Sequence, residues 1–156
     1  TVYTYNGKTF KPTAEVRVNG KKIGASDYRV YYKNNKNPGY ATVSVKGYGV
    51  YKKCSTSVSF KIFPAKPKWI SAKSYTKHTT KLCWKKDTGV SGYQISFGSN
   101  KKFAGARNQK VGAEASCILK KLKSGKVYYI RIRSYKKSGS KLLYSGWSNT
   151  KKVKIK

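Results

Sequence analysis

The chain has 156 residues, with 36 Lys and Arg against 4 Asp and Glu, and a formal net charge of +32. No pair of carboxylates is visible for acid–base catalysis, and no run approaches the roughly 20 apolar residues of a membrane helix. Aromatic residues make up 14% of the chain, too many for a disordered basic tail.

In chain order, the predicted elements are strands. Tyr28, Val30 and Tyr32 alternate with Arg29, Tyr31 and Lys33. Ala41, Val43 and Val45 alternate with Thr42, Ser44 and Lys46, and Val58, Phe60 and Ile62 with Ser59 and Lys61. A period of two with β-branched and aromatic residues on one side predicts half-buried strands. Asn19-Gly20, Pro38-Gly39 and Gly47-Tyr48-Gly49 predict the turns between them. Residues 64–68, Pro64-Ala65-Lys66-Pro67-Lys68, read as a stiff extended connector between domains. A second series follows: Leu82 and Trp84; Tyr93, Ile95 and Phe97; Cys117 and Leu119; Tyr128, Ile130 and Ile132; then Val153 and Ile155 against Lys152, Lys154 and Lys156. No amphipathic helix is predicted. Short strands separated by frequent turns imply β-sandwiches, so the expected organisation is all-β, with one sandwich over 1–63 and another over 69–156.

Two resemblances support this division. Residues 3–62 contain YTYNGKTFKPTAEVRVNGKKI, SDYRVYYKNNKNPGYATVSVKGYGVY and SFKI. They resemble a bacterial immunoglobulin-like repeat of Gram-positive surface and secreted proteins, matched at Tyr5, Gly7, Pro12, Asp27, Tyr28, Tyr32, Asn34, Asn35, Gly39, Gly47, Gly49, Tyr51, Phe60 and Ile62. Residues 69–156 contain KLCWKK, SGYQISF, LKSGKVYYIRIRSY and YSGWSNTKKVKI. They resemble a fibronectin type III domain, with Leu122-x-x-Gly125-x-x-Tyr128 in the place of its tyrosine corner. The resemblance implies two tandem immunoglobulin-like sandwiches used extracellularly as adhesive modules or spacers. It carries no catalytic residues.

Among reactive side chains, Asp27 is expected to bond within a turn. Asp87 follows the Trp84 strand, Glu15 faces solvent, and Glu114 sits in a polar loop. His78 is expected in an exposed loop. With Cys54, Cys83 and Cys117 it has no usual zinc spacing, so no metal or cofactor is expected. Strand parity turns Cys83 outward and Cys117 inward, which predicts no disulfide between them. Cys54 is expected to be exposed. No signal peptide is visible and residue 1 is Thr, as in a mature protein or an excised fragment.

The basic residues carry the functional expectation. Residues 69–156 hold 22 Lys and Arg against Asp87 and Glu114, while residues 1–63 hold 12 against Glu15 and Asp27. In a fibronectin topology the last two strands are neighbours. Arg131 and Arg133 would then join Lys152, Lys154 and Lys156 on one basic face, with Lys136, Lys137 and Lys141 in the connecting loop. Lys120, Lys121, Lys123 and Lys126 form a second cluster around Leu122. A net charge of about 2 to 8 already keeps a small domain soluble. The excess points to an anionic polymer as partner: wall teichoic acid, an anionic lipid surface or an acidic glycan. Lys outnumbers Arg 31 to 5, which suits diffuse attraction. Two alternatives are nucleic-acid binding, with Tyr31, Tyr48, Tyr51, Trp69, Tyr75, Tyr135, Tyr144 or Trp147 stacking on bases, and a spacer or docking role in a larger surface enzyme.

Overall fold

A computed structural model describes residues 1–156, which divide into Thr1–Phe63 and Pro64–Lys156. Strands dominate both units, and the only helical pieces are two single 3-10 turns.

The first unit contains β1 (Val2–Thr4), β2 (Arg17–Val18), β3 (Lys21–Lys22), β4 (Tyr28–Lys33), β5 (Gly39–Gly47) and β6 (Ser55–Phe63). Its main sheet runs β1-β6-β5-β4 and is antiparallel except for β1 beside β6. The β2–β3 hairpin turns at Asn19 and Gly20, both at positive φ, as a two-residue turn between twisted strands requires. Residues 5–16 cross the inner face of the sheet. The Tyr32 hydroxyl donates to the Pro12 carbonyl at 2.8 Å, and the Asn35 amide to the Phe10 carbonyl at 2.8 Å. Only Ala41, Phe60 and Ile62 form the buried cluster, with Tyr3, Tyr5, Phe10 and Val43 packed against it.

Alternation placed Val58 on the face of Phe60 and Ile62, yet Val58 is 67% exposed. Parity selects a face but not its cover. Here that face opens into a cleft of about 360 Å³ lined in part by Pro12, Ala14, Val43, Val45 and Phe60.

The second unit contains β7 (Trp69–Lys73), β8 (Thr80–Trp84), β9 (Gly92–Gly98), β10 (Arg107–Val111), β11 (Ser116–Leu119), β12 (Val127–Ser138), β13 (Lys141–Tyr144) and β14 (Lys151–Lys154). One sheet is β11-β8-β7. The other is β10-β9-β12-β13, with β14 also on β12. Between them lies a core that includes Leu82, Trp84, Tyr93, Ile95, Ile130 and Ile132, each fully buried. The Tyr128 hydroxyl accepts from the Lys123 N–H at 3.2 Å. The tyrosine corner is therefore formed, and it ties the turn at Leu122 to the strand that follows.

Residues 64–68, expected as a stiff extended connector between the domains, are the first packed segment of this unit. Pro64 and Pro67 are buried. The Ala65 carbonyl accepts from the Ser134 hydroxyl at 2.6 Å, and the Lys68 carbonyl from the Lys85 N–H at 2.8 Å. The extended backbone that proline imposes is what lets this stretch lie along the sheet.

Candidate functional site

The last strand of the second unit is not one strand. β13 pairs with Tyr135–Ser138 and β14 with Val127–Ile130 of β12. Between them the chain bulges away. The Ser145 and Ser148 hydroxyls accept from the Ser134 and Ile132 N–H groups, each at 3.0 Å, and so replace the missing ladder partners. The bulge carries Trp147 back over β12.

There Trp147 meets both arginines. The Arg131 guanidinium carbon is 4.4 Å from the Trp147 ring centre and 4.0 Å from that of Phe103. The Arg133 carbon is 4.4 Å from Trp147 and 3.9 Å from Tyr144. The contacts make an alternating series, Phe103–Arg131–Trp147–Arg133–Tyr144. Each cation lies against aromatic π density, whose negative face attracts it. Arg133 Nε also donates to Gln94 Oε1 at 2.8 Å, while Arg131 Nε is buried without an acceptor. Burial weakens the hold of Arg133 on its proton, Tyr144 strengthens it, and Arg131 weakens it further. Arg131 and Arg133 thus face outward as expected, but as stacked and half-buried groups, not freely solvated ones.

The other members of the expected face divide. Tyr129 pairs with Lys152 and Val127 with Lys154, on the same parity as the arginines. Lys136, Lys137 and Lys141 lie in β12 and β13, not in a loop, because Gly139 at φ 60° makes the turn tight. Lys137 keeps the arginine parity. Lys136 pairs with Leu143 and Lys141 with Ser138, so both fall on the opposite parity. The eight residues expected there therefore do not form one continuous face, because Lys136 and Lys141 lie on the other side of the sheet.

The second cluster gathers more than the sequence suggested. Lys120, Lys121, Lys123 and Lys126 are all exposed around buried Leu122. Backbone bonds tie them to the end of the chain: Gly125 N–H to the Ile155 carbonyl, and Ile155 N–H to the Lys126 carbonyl, each at 2.9 Å. The Leu122 N–H reaches the His78 carbonyl at 3.0 Å, and the His78 N–H the Lys156 carbonyl at 3.2 Å. Lys77, Lys154 and Lys156 therefore belong to this lysine end. Lys77 is not indicated by the sequence because it is more than forty positions from Lys120, and bonds across the fold unite the segments. His78 is exposed, as expected, yet it is a staple: its Nδ1 lies 2.9 Å from the Leu122 carbonyl oxygen.

Other reactive groups stay apart. Asp27 accepts from the Gly24 N–H at 3.2 Å, within its own turn. Glu15 pairs with Arg17 at 2.7 Å and Lys22 at 3.7 Å, on the surface. Burial raises the Asp87 carboxyl above its ordinary range, against the pull of Lys85 and Lys68. All three cysteines are free thiols. Cys54 is exposed, and burial, with Cys83 nearby, pushes the Cys117 thiol up to about 12. No three His, Cys, Asp or Glu side chains gather in a way that suits a metal ion. No helix is long and apolar enough to cross a membrane.

A three-stranded sheet facing a five-stranded one, with a tyrosine corner, defines a fibronectin type III, immunoglobulin-like sandwich fold. Solved structures agree on this fold. A two-domain fibronectin type III segment of chicken tenascin is similar at TM-score 0.61 and 23% identity, over 74% of this chain and 65% of that one. The FN1–FN3 domains of chicken CNTN1 are similar at TM-score 0.54 and 19% identity, over 83% of this chain and 56% of that one. The chain thus spans less than two thirds of either structure. No family model matches the sequence, and neither does any curated protein.

Proposed function

We propose that the chain is a non-catalytic, extracellular binding module of a bacterial surface or secreted protein, and that it attaches to anionic polymers. Wall teichoic acid, an anionic lipid surface and an acidic glycan share the required chemistry. The observation that carries this reading is unneutralised charge: of the 36 cationic side chains, only Arg17 and Lys22 form an ion pair with a carboxylate. At physiological salt the Debye length is about 8 Å, so the lysines around Leu122 repel one another and share one field. An anionic chain laid across Lys120, Lys121, Lys123, Lys126, Lys154 and Lys156 releases counterions from both partners, which drives binding in proportion to the contacts made.

The test is titration with poly(glycerol phosphate) and with heparin at several salt concentrations. Replacing Lys120, Lys121, Lys123 and Lys126 by Gln should flatten the salt dependence by about three to four ions, near one per lysine. An unchanged slope would refute the assignment of the lysine end.

A further inference from the structure

We propose, building on the polyanion reading above, that Arg131 and Arg133 form a rigid two-guanidinium clamp for consecutive phosphates of a poly(glycerol phosphate) chain. Both guanidiniums are held from the side by rings, at 3.9 to 4.4 Å. Their inner nitrogens are turned into the protein, Arg133 Nε on Gln94 and Arg131 Nε buried. Both side chains remain half-exposed, and the hydrogen bond that Arg133 makes to Gln94 uses Nε, not its terminal nitrogens. Each arginine therefore presents a fork of donors, the geometry that takes a phosphate oxygen pair.

Two arginines two residues apart on one strand have Cα atoms about 7 Å apart, so a flexible phosphodiester chain can place one phosphate on each. Neither guanidinium meets a carboxylate. Two like charges share the Trp147 ring, and an anion bound across both offsets their repulsion. The stacked rings have already restricted the side chains, so less rotamer freedom is lost on binding. Lys152 and Lys154 lie on the same parity along β14 and continue the path.

The same stack selects against nucleic acid. Single-strand binders offer open aromatic faces on which bases stack. Here Trp147 serves two cations, and Phe103 and Tyr144 one each. A polymer with a saturated backbone loses nothing by this, whereas a base stacking on Trp147 would have to displace an arginine.

The experiment compares the wild-type chain with the Arg131→Lys/Arg133→Lys variant, which keeps every charge. The probes are a glycerol phosphate hexamer and an oligothymidylate of equal charge, at fixed salt. The clamp predicts that the variant binds the hexamer about tenfold more weakly, through loss of bidentate geometry. In the wild type, the Nε–H NMR signals of Arg131 and Arg133 should shift on adding hexamer. This second readout needs no variant and so is independent of any loss of folding. Unmoved arginine signals, or equal hexamer affinity in a folded variant, overturn the clamp and leave the lysine reading standing. Tighter wild-type binding of oligothymidylate than of hexamer overturns the choice of polymer. Absence of hexamer binding at low salt overturns both this clamp and the lysine reading.

Discussion

Arg131 and Trp147 lie 4.4 Å apart, guanidinium carbon to ring centre, although sixteen positions and a chain reversal separate them. The contact exists because β13 and β14 leave a gap opposite the middle of β12. The residues filling that gap fold over the sheet in place of extending it. Arg133 meets the same ring at the same distance. One side chain therefore organises both arginines.

Trp147→Ala should destabilise the second unit by about 1–3 kcal/mol, the sum expected of two half-desolvated cation–π contacts and lost apolar cover. Urea denaturation followed by the fluorescence of Trp69 and Trp84 measures it. A loss below about 0.5 kcal/mol, the ordinary range of surface substitutions, would show that the stack contributes little.

The two units should unfold separately. The first has three buried apolar side chains in its core cluster; the second has twelve. A domain of about 60 residues is marginal alone. Trp69, Trp84 and Trp147 all lie in the second unit, so tryptophan fluorescence reports that unit only, while far-ultraviolet circular dichroism reports both. The dichroism change should begin at lower urea than the fluorescence change. Coincident transitions would mean one cooperative body.

Asp87 provides a pH dependence. Burial raises its carboxyl above the ordinary 3.8, so the folded state holds the proton more tightly than the unfolded state does. Its contribution therefore favours folding below pH 3.8 and is lost as the pH rises through the folded value. At neutral pH the buried charge opposes folding. Asp87→Asn should raise the melting temperature at pH 7 and leave it nearly unchanged below pH 3.8. A variant that melts lower than wild type at pH 7 would contradict this.

Thiol reactivity should be graded. Cys54 is exposed, whereas the Cys117 thiol, at about 12, is almost wholly protonated at pH 8. The thiolate is the nucleophile. Iodoacetamide at pH 8 should modify Cys54 in the folded protein and Cys117 only after unfolding, as peptide mapping would show. Early labelling of Cys117 would place it outside the core.

Much of the fold was legible because the relevant rules are local. Tyr128 stands at a fixed spacing from Leu122 and Gly125, and its bond to Lys123 spans only five residues. Leu82, Trp84, Ile130 and Ile132 follow a period of two and are buried on that face. Trp147 reads as an aromatic among cations, but its partners follow from a break in the last strand. That break rests on Ser145 and Ser148 bonding across to β12, which no periodicity reveals. Phe103 lies in a polar loop at φ 61°, with nothing nearby in sequence to indicate Arg131. Lys136 and Lys141 read as loop residues because Lys-Lys-Ser-Gly-Ser-Lys has a turn's composition; the tight turn at Gly139 instead extends both strands to meet it.

The most direct measurement is the salt dependence of binding to poly(glycerol phosphate). The logarithm of the association constant should fall linearly with the logarithm of salt concentration, and the Lys120, Lys121, Lys123 and Lys126 substitutions should make that slope shallower. A wild-type chain that fails to bind this polymer at low salt, or binds it with no salt dependence, would contradict attachment through lysine charge.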